Sequence, residues 1–214
     1  MTRLVSFRAP SLPLAGEEFT RQYQDQFSSI LRLYFNKLDD IVGAVTGTQG
    51  GQYINNPYGA FQSVVTQTAV PNTATVMTFD TVDFVNGVSV VSGSRLTVAR
   101  AGLYNLQWSG QFQNTDTQDH DVSVWLRQDG VNPGIDIPGS AGLFAVPSKH
   151  GTTNGHTLVG WNYFVSLQSG EFVELWWSTV SADVTIRAYP AAVAPVRPST
   201  ASLIATMSFV SSLS

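Results

Sequence analysis

Cysteine is absent from the 214 residues. That excludes a disulfide scaffold, zinc-thiolate and iron–sulfur sites, and thiol catalysis. Charge is scarce: 11 Lys+Arg and 15 Asp+Glu make up 12% of the chain, about half the usual ~25%. The formal net charge of −4 argues against a nucleic-acid partner, which needs a basic stripe to displace counterions. No stretch approaches the ~18 consecutive apolar residues of a membrane span. The opening MTRLVSFRAPSLPLA has Arg3 but no apolar run of signal-peptide length. The expectation is a chain made in a cytoplasm, beginning near Met1, with neither nucleic acid nor membrane as partner. The apolar fraction, 43%, is ordinary. A chain this poor in charge either hides surface against other subunits or solvates it with Ser, Thr, Asn and Gln.

What charge there is divides the chain. Glu17, Glu18, Arg21, Asp25, Arg32, Lys37, Asp39 and Asp40 crowd one segment, and the rest of the chain beyond it has a single lysine, Lys149. Residues 1–16 hold Pro10, Pro13 and Gly16 among scattered apolar side chains, which disfavours a helix and supplies no core. This segment reads either as a frayed terminus or as an extended arm that anchors in a groove of another subunit by Phe7, Leu12 and Leu14. Residues 17–45 read as a helix. Glu17 and Glu18 suit the positive end of its dipole, and Gly43 with Gly47, Gly50 and Gly51 marks its end. Tyr23, Phe27, Ile30, Tyr34, Leu38, Ile41 and Val45 recur at steps of three and four, the spacing of a coiled-coil seam. Phe19, Leu31, Phe35 and Val42 form a second apolar line. Two adjacent lines are more than a dimer seam buries, so the helix suits a three-helix bundle, or a bundle that also docks on something else; the plainer alternative packs it on its own β body. A Gly-rich linker, 46–60, favours the bundle by detaching the helix from the β body.

From residue 61 to 214 the pattern is β. Tyr104, Leu106, Trp108, Gly110 and Phe112 alternate with polar residues. The same period of two recurs in Val122, Val124 and Leu126; Val159, Trp161, Tyr163, Val165 and Leu167; Val173, Leu175 and Trp177; and Leu203, Ala205, Met207 and Phe209. Period two means strands with one buried face. Asn86-Gly87, Ser92-Gly93, Asp129-Gly130, Pro138-Gly139, Asn154-Gly155 and Ser169-Gly170 punctuate them. Many short strands with such turns predict a mainly β sandwich or jelly roll rather than a parallel α/β fold.

Chemistry is thin. His120, His150 and His156 stand in no metal-protease spacing, and no nucleophile elbow, Walker motif or dinucleotide glycine pattern occurs. Neither catalytic residues nor a cofactor are expected. Asp116, Asp119 and Asp121 are the weak metal candidates: three carboxylates suffice for a hard cation such as calcium. A solvated hairpin between strands 102–114 and 121–128 accounts for them equally well and is preferred, so no metal is expected. Glu171 and Glu174, read as opposite faces of one strand, do not make a glycosidase pair. Of Trp176 and Trp177, which point to opposite sides, one packs in the sandwich and the other is a candidate subunit contact.

Two resemblances rest on particular residues. Leu96, then Gly102, Tyr104, Leu106 and Trp108, with Gly170, Val173, Leu175 and Trp177 downstream and a last strand near 203–210, resembles the signature of complement-globular-head and tumour-necrosis-factor-like jelly rolls. The resemblance spans roughly residues 75–212 and implies a jelly roll that assembles as a homotrimer about a threefold axis. The pattern Leu12-Pro13-Leu14, Phe19, Gln22-Tyr23, Gln26-Phe27, Leu31-Arg32-Leu33-Tyr34-Phe35-Asn36 and Leu38-Asp39 is similar to amino-terminal segments of tailed-bacteriophage virion proteins. Together they imply a non-enzymatic trimeric structural protein of a virion, a capsid decoration (cement) protein or a short head or tail fibre. Its partners would be other capsid or tail proteins. A receptor-binding knob that grips a host glycan or protein through loops 114–121, 129–142 and 147–157 is the alternative, and a capsule depolymerase ranks below it.

Overall fold

The seam spacing produces one helix among the described residues. In the computed structural model, which describes residues 9–14, 20–47, 55–128 and 134–213, helix α1 spans Arg21–Thr46. Thr20, in extended conformation, caps it by accepting a hydrogen bond from the Tyr23 N–H at 3.2 Å. The helix thus opens at Arg21 rather than at 17, and its first turn holds no acidic residue. Glu17 and Glu18, assigned to the positive end of the dipole, lie outside the described residues. Gly43 is interior rather than terminal. One exposed glycine costs a helix only ~1 kcal/mol and does not end it. The stop is Gly47, whose N–H donates to the Gly43 carbonyl at 2.9 Å. No residue of α1 is buried.

The chain divides into two compact units, Met1–Asn55 and Asn56–Ser214. The second begins inside the expected 46–60 linker, because Tyr58, Gly59 and Ala60 already belong to a strand. Its strands are β1 (Tyr58–Ser63), β2 (Gln67–Thr68), β3 (Thr75–Val76), β4 (Thr81–Asn86), β5 (Val88–Val91), β6 (Arg95–Val98), β7 (Gly102–Asn114) and β8 (His120–Gln128). They continue as β9 (Ile135–Asp136), β10 (Gly142–Val146), β11 (Gly155–Leu167), β12 (Phe172–Thr179), β13 (Val184–Ile186), β14 (Ala192–Val193), β15 (Val196–Arg197) and β16 (Leu203–Ser211).

Two antiparallel sheets form, with β14 and β15 as a separate ribbon. In the first, β7 is central. β11 flanks it from Gly155 opposite Asn114 to Leu167 opposite Gly102. On its other edge β16 takes one end and β13 the other, and β1 and β4 extend the sheet beyond β16. The second sheet runs β10–β8–β12–β6–β5, with β3 on β12 and β9 on β8. The chain changes sheet between β2 and β3, β3 and β4, β4 and β5, β6 and β7, β7 and β8, β10 and β11, β11 and β12, and β12 and β13. The 115–119 segment is therefore a crossover between stacked sheets and not the expected hairpin. Each of the two strands it joins has one apolar face, and stacking buries both faces against each other where coplanar pairing would not. A true hairpin joins β5 to β6, where Ser92 and Gly93 both take positive φ, 54° and 77°, the requirement of a type I′ turn.

The core fills the space between the sheets. Leu96, Tyr104, Leu106, Trp108, Val173, Leu175 and Trp177 are all buried in it, as are Phe61, Met77, Phe112, Val124, Leu126 and Met207. Aromatic rings meet edge to face: Phe112 against Trp177 at 5.8 Å and Phe144 at 4.9 Å, Trp108 against Trp161 at 4.7 Å, Tyr104 against Phe209 at 5.7 Å. Such pairs add about 0.5–1.5 kcal/mol beyond the area they bury. The motif's two glycines have different tasks. Gly170 takes φ 87° in the turn before β12. Gly102 has no positive φ; a Cβ there would stand 2.5 Å from Phe209 Cε2, so its absence makes room for a ring.

Candidate functional site

Four parts of the surface are candidates: the helix stripe, the crossover near 115–121 with its neighbour 147–154, and two halves of the outer face of the second sheet.

On α1, all seven seam residues, Tyr23, Phe27, Ile30, Tyr34, Leu38, Ile41 and Val45, are half-exposed, and so is Leu31. Phe35 and Val42, from the second line, are exposed, while Phe19 lies outside the described residues. Placed on a wheel, the two lines span roughly 140° of the circumference at 3.6 residues per turn. Tyr23 stacks on Phe27 and Tyr34 meets Phe35 edge to face, which orders the stripe locally without covering it. Of the arm residues, Leu12 and Leu14 are exposed and Phe7 lies outside the described residues.

The crossover holds the carboxylates. Asp116 Oδ2 sits 2.8 Å from His120 Nε2, and Asp116 Oδ1 accepts from the Thr117 N–H at 2.6 Å. These contacts, the His120 one foremost, hold the Asp116 carboxyl below the ordinary carboxylate range. Asp119 Oδ1 accepts from the Ser148 N–H at 2.7 Å, the main reason its carboxyl is also lowered. Asp121 points away, on the outer face of β8. Asp116 and Asp119 thus hold different parts of the loop and Asp121 joins neither, and among the described residues no group of three His, Asp or Glu side chains gathers as a cation site. The loop is clasped internally: the Lys149 N–H donates to the Asp116 carbonyl at 2.7 Å. His156 is elsewhere, its Nδ1 3.0 Å from Tyr189 Oη.

One half of the outer face of the second sheet is a closed polar ladder. Glu174, buried, accepts from Ser94 Oγ at 2.7 Å and Trp176 Nε1 at 3.2 Å, with Arg95 Nε at 3.5 Å. Arg95 lies over Phe172 and Arg127 over Trp176. Arg127 Nε and Trp125 Nε1 both donate to Asp136 Oδ1, at 2.9 and 2.8 Å, and the Arg127 bond is the first cause that lowers the Asp136 carboxyl. Trp177 is therefore the core residue of its pair. Trp176 is committed to this ladder, and Glu171 sits in the preceding turn rather than on the strand, accepting from the Gln168 N–H at 2.7 Å.

The other half is open. A groove of about 540 Å³ lies over β8, β10 and the end of β12, lined by Asn72, Asp121, Ser123, Trp125, Leu143 and Ser178 among others. Ser123 faces Ser178 in register. No motif in the sequence marks this site, yet a signal exists. Val122, Val124 and Leu126 fix the inward phase of β8, so Trp125 falls on the outward, polar phase. A large aromatic side chain out of phase with the core has a surface task.

No protein-family model matches the chain, and no curated protein matches it. Among solved structures, the Eiger TNF from S. frugiperda aligns with 75% of this chain and 96% of its own, with a TM-score of 0.51 and 7% sequence identity. At that identity the likeness speaks for the fold alone. The β unit is a tumour-necrosis-factor-like jelly roll, as the Leu96–Trp108 and Gly170–Trp177 motifs imply.

Proposed function

We propose that this chain is a trimeric structural protein of a tailed-phage virion, a decoration protein or short fibre. In this reading the arm and α1 hold the particle and bundle three protomers, and the jelly roll projects as a knob. The observation that carries the reading is the stripe of α1: seven seam residues at coiled-coil spacing, none of them buried within the chain. The tumour-necrosis-factor-like fold of the β unit and the similarity of residues 12–39 to phage virion leaders support it. Covering the exposed half of one seam Leu or Ile contributes about 1 kcal/mol. A bundle repeats that gain on three helices and at every seam layer, against the ordering cost of association. Three arms on one bundle would then grip the particle multivalently, each bound arm raising the effective concentration of the next.

Light scattering tests the assembly. The full chain should show three times the 23.1 kDa protomer mass. Leu38→Asp, which sets three carboxylates into one dry layer, should return it to a single protomer with the β signal of circular dichroism unchanged. A wild-type monomer refutes the bundle. Co-sedimentation with the particle tests the anchor: removal of residues 1–16 should release the protein, and retained binding refutes the role of Phe7, Leu12 and Leu14.

A further inference from the structure

We infer that the groove beside Trp125 is a binding site for a neutral saccharide. The inference stands on one protomer and does not depend on the assembly proposed above. It rests on a contrast within a single sheet face. In the ladder half, Ser94, Arg95, Arg127, Asp136, Glu174 and Trp176 all engage one another. In the groove half, the side chains of Asn72, Asp121, Ser123 and Ser178 have no hydrogen-bond partner among the described residues, although all four line one concavity. The donors and acceptors of the first half are spent on the fold; in the second only the Trp125 indole N–H and the Thr179 hydroxyl are so engaged, and the side chains of Asn72, Asp121, Ser123 and Ser178 are available to a ligand.

The lining selects the ligand class. Apart from Thr179, whose hydroxyl is bonded to Ser181, it offers a carboxylate, two hydroxyls, an amide, one indole and the apolar Ala74, Leu143 and Val180. Pyranose rings have matching parts: a C–H face that packs on an aromatic plane and vicinal hydroxyls that donate to a carboxylate and to serines. Asp121 is the one charged residue in the lining, and no Lys or Arg accompanies it. Sialic, uronic and sulfated sugars would therefore meet an uncompensated like charge. Asp121, Ser123 and Trp125 share the outward phase of β8, so the ends of this row lie about 13 Å apart at ~3.3 Å per residue, room for two sugar rings. The aromatic wall is already placed, since Trp125 Nε1 is tied to Asp136 Oδ1 at 2.8 Å. Ligand binding then need not immobilise it.

The test uses the full chain on a printed glycan array holding neutral, sialylated, sulfated and uronate glycans. The strongest neutral hit is then titrated in solution and read by calorimetry. The expected result is binding to neutral glycans only. Asp121→Asn, at an exposed position with no internal bond to lose, should weaken it about tenfold. Trp125→Ala should abolish it while the thermal melt remains cooperative. If Trp125→Ala does not fold, Ser178→Arg, which fills the groove from an outward position, replaces it with the same expectation. The inference is overturned if no neutral glycan binds, if anionic glycans bind in preference, or if Asp121→Asn leaves the affinity within twofold of wild type.

Discussion

Replacing Gly102 by alanine adds one methyl group at the entry to β7, and the structure says what it meets. The new Cβ would lie 2.5 Å from Phe209 Cε2, 2.8 Å from Cδ2 and 3.0 Å from the Ser211 carbonyl oxygen. Phe209 is held from the other side by Tyr104, ring to ring at 5.7 Å, and its N–H is bonded to the Pro57 carbonyl at 2.9 Å. The ring has little freedom to retreat, so overpacking should cost about 2 kcal/mol net, after the small gain alanine makes by restricting the unfolded chain. At roughly 2–4 °C per kcal/mol for a chain of this size, the melt should fall by about 4–8 °C. Phe209→Ala alone should cost about 2 kcal/mol, less than a fully buried ring, because Phe209 is only half-buried. The double variant is the decisive measurement. With the ring gone, the Gly102→Ala penalty should shrink to the residual contact with the Ser211 carbonyl. The pair should then be less destabilised than the sum of the single variants by about 1 kcal/mol or more. Gly170→Ala provides the contrast. Nothing lies within 4 Å of its Cβ, but its φ is 87°, so its cost is backbone strain of about 1–2 kcal/mol that Phe209→Ala leaves untouched. Denaturant melts of six proteins suffice, the Gly170→Ala/Phe209→Ala pair included. Additivity of Gly102→Ala and Phe209→Ala within ~0.5 kcal/mol would refute the claim that this glycine exists to seat a ring.

Glu174→Gln should destabilise the fold by about 2 kcal/mol, because the carboxamide nitrogen faces one of the donors that Ser94, Arg95 and Trp176 present; a melt within 1 °C of wild type would refute that. Trp177→Phe should lie within about 1 kcal/mol of wild type, since the lost volume is offset by removing an indole N–H that is buried without a partner. The crossover clasp should weaken in acid. Asp116 and Asp119 have folded-state pKa values below their unfolded ones, so their contribution is complete above the ordinary carboxylate range and is lost as pH falls through the depressed values. Amide exchange at Thr117 and Ser148, whose N–H groups donate to these carboxylates, should lose protection in that window relative to intrinsic rates. Protection that does not change with pH there would count against the clasp.

Local pattern carried much of the fold. The steps of three and four fixed the helix face, and period-two alternation placed Tyr104, Leu106, Trp108, Val124, Leu126, Leu175 and Trp177 inward, where all are buried. The strand assignments succeed because which side of a strand a residue takes depends only on residues a few positions apart. Boundaries differ where one side chain outweighs composition. Thr20 caps α1 so that it starts at Arg21 rather than 17, and of the glycines that mark its end Gly47 is the stop while Gly43 lies inside. The 115–119 segment shows a further limit. A short polar connection between two strands looks alike whether they lie side by side or face to face, and only the packing of their apolar faces separates the cases.

The sequence alone determined that this chain has an amphipathic helix and a β unit with alternating burial, and its glycine and aromatic spacing resembles that of tumour-necrosis-factor-like jelly rolls. Each of these is written in neighbours along the chain. Tertiary structure decided which outward residues act together. Ser123 faces Ser178, Asp136 reaches Trp125, and Arg127 covers Trp176 only because β8, β9 and β12 adopt one register. A polar ladder closed on itself and an open groove differ by pairings between residues far apart in sequence, and no local period encodes which strand lies beside which.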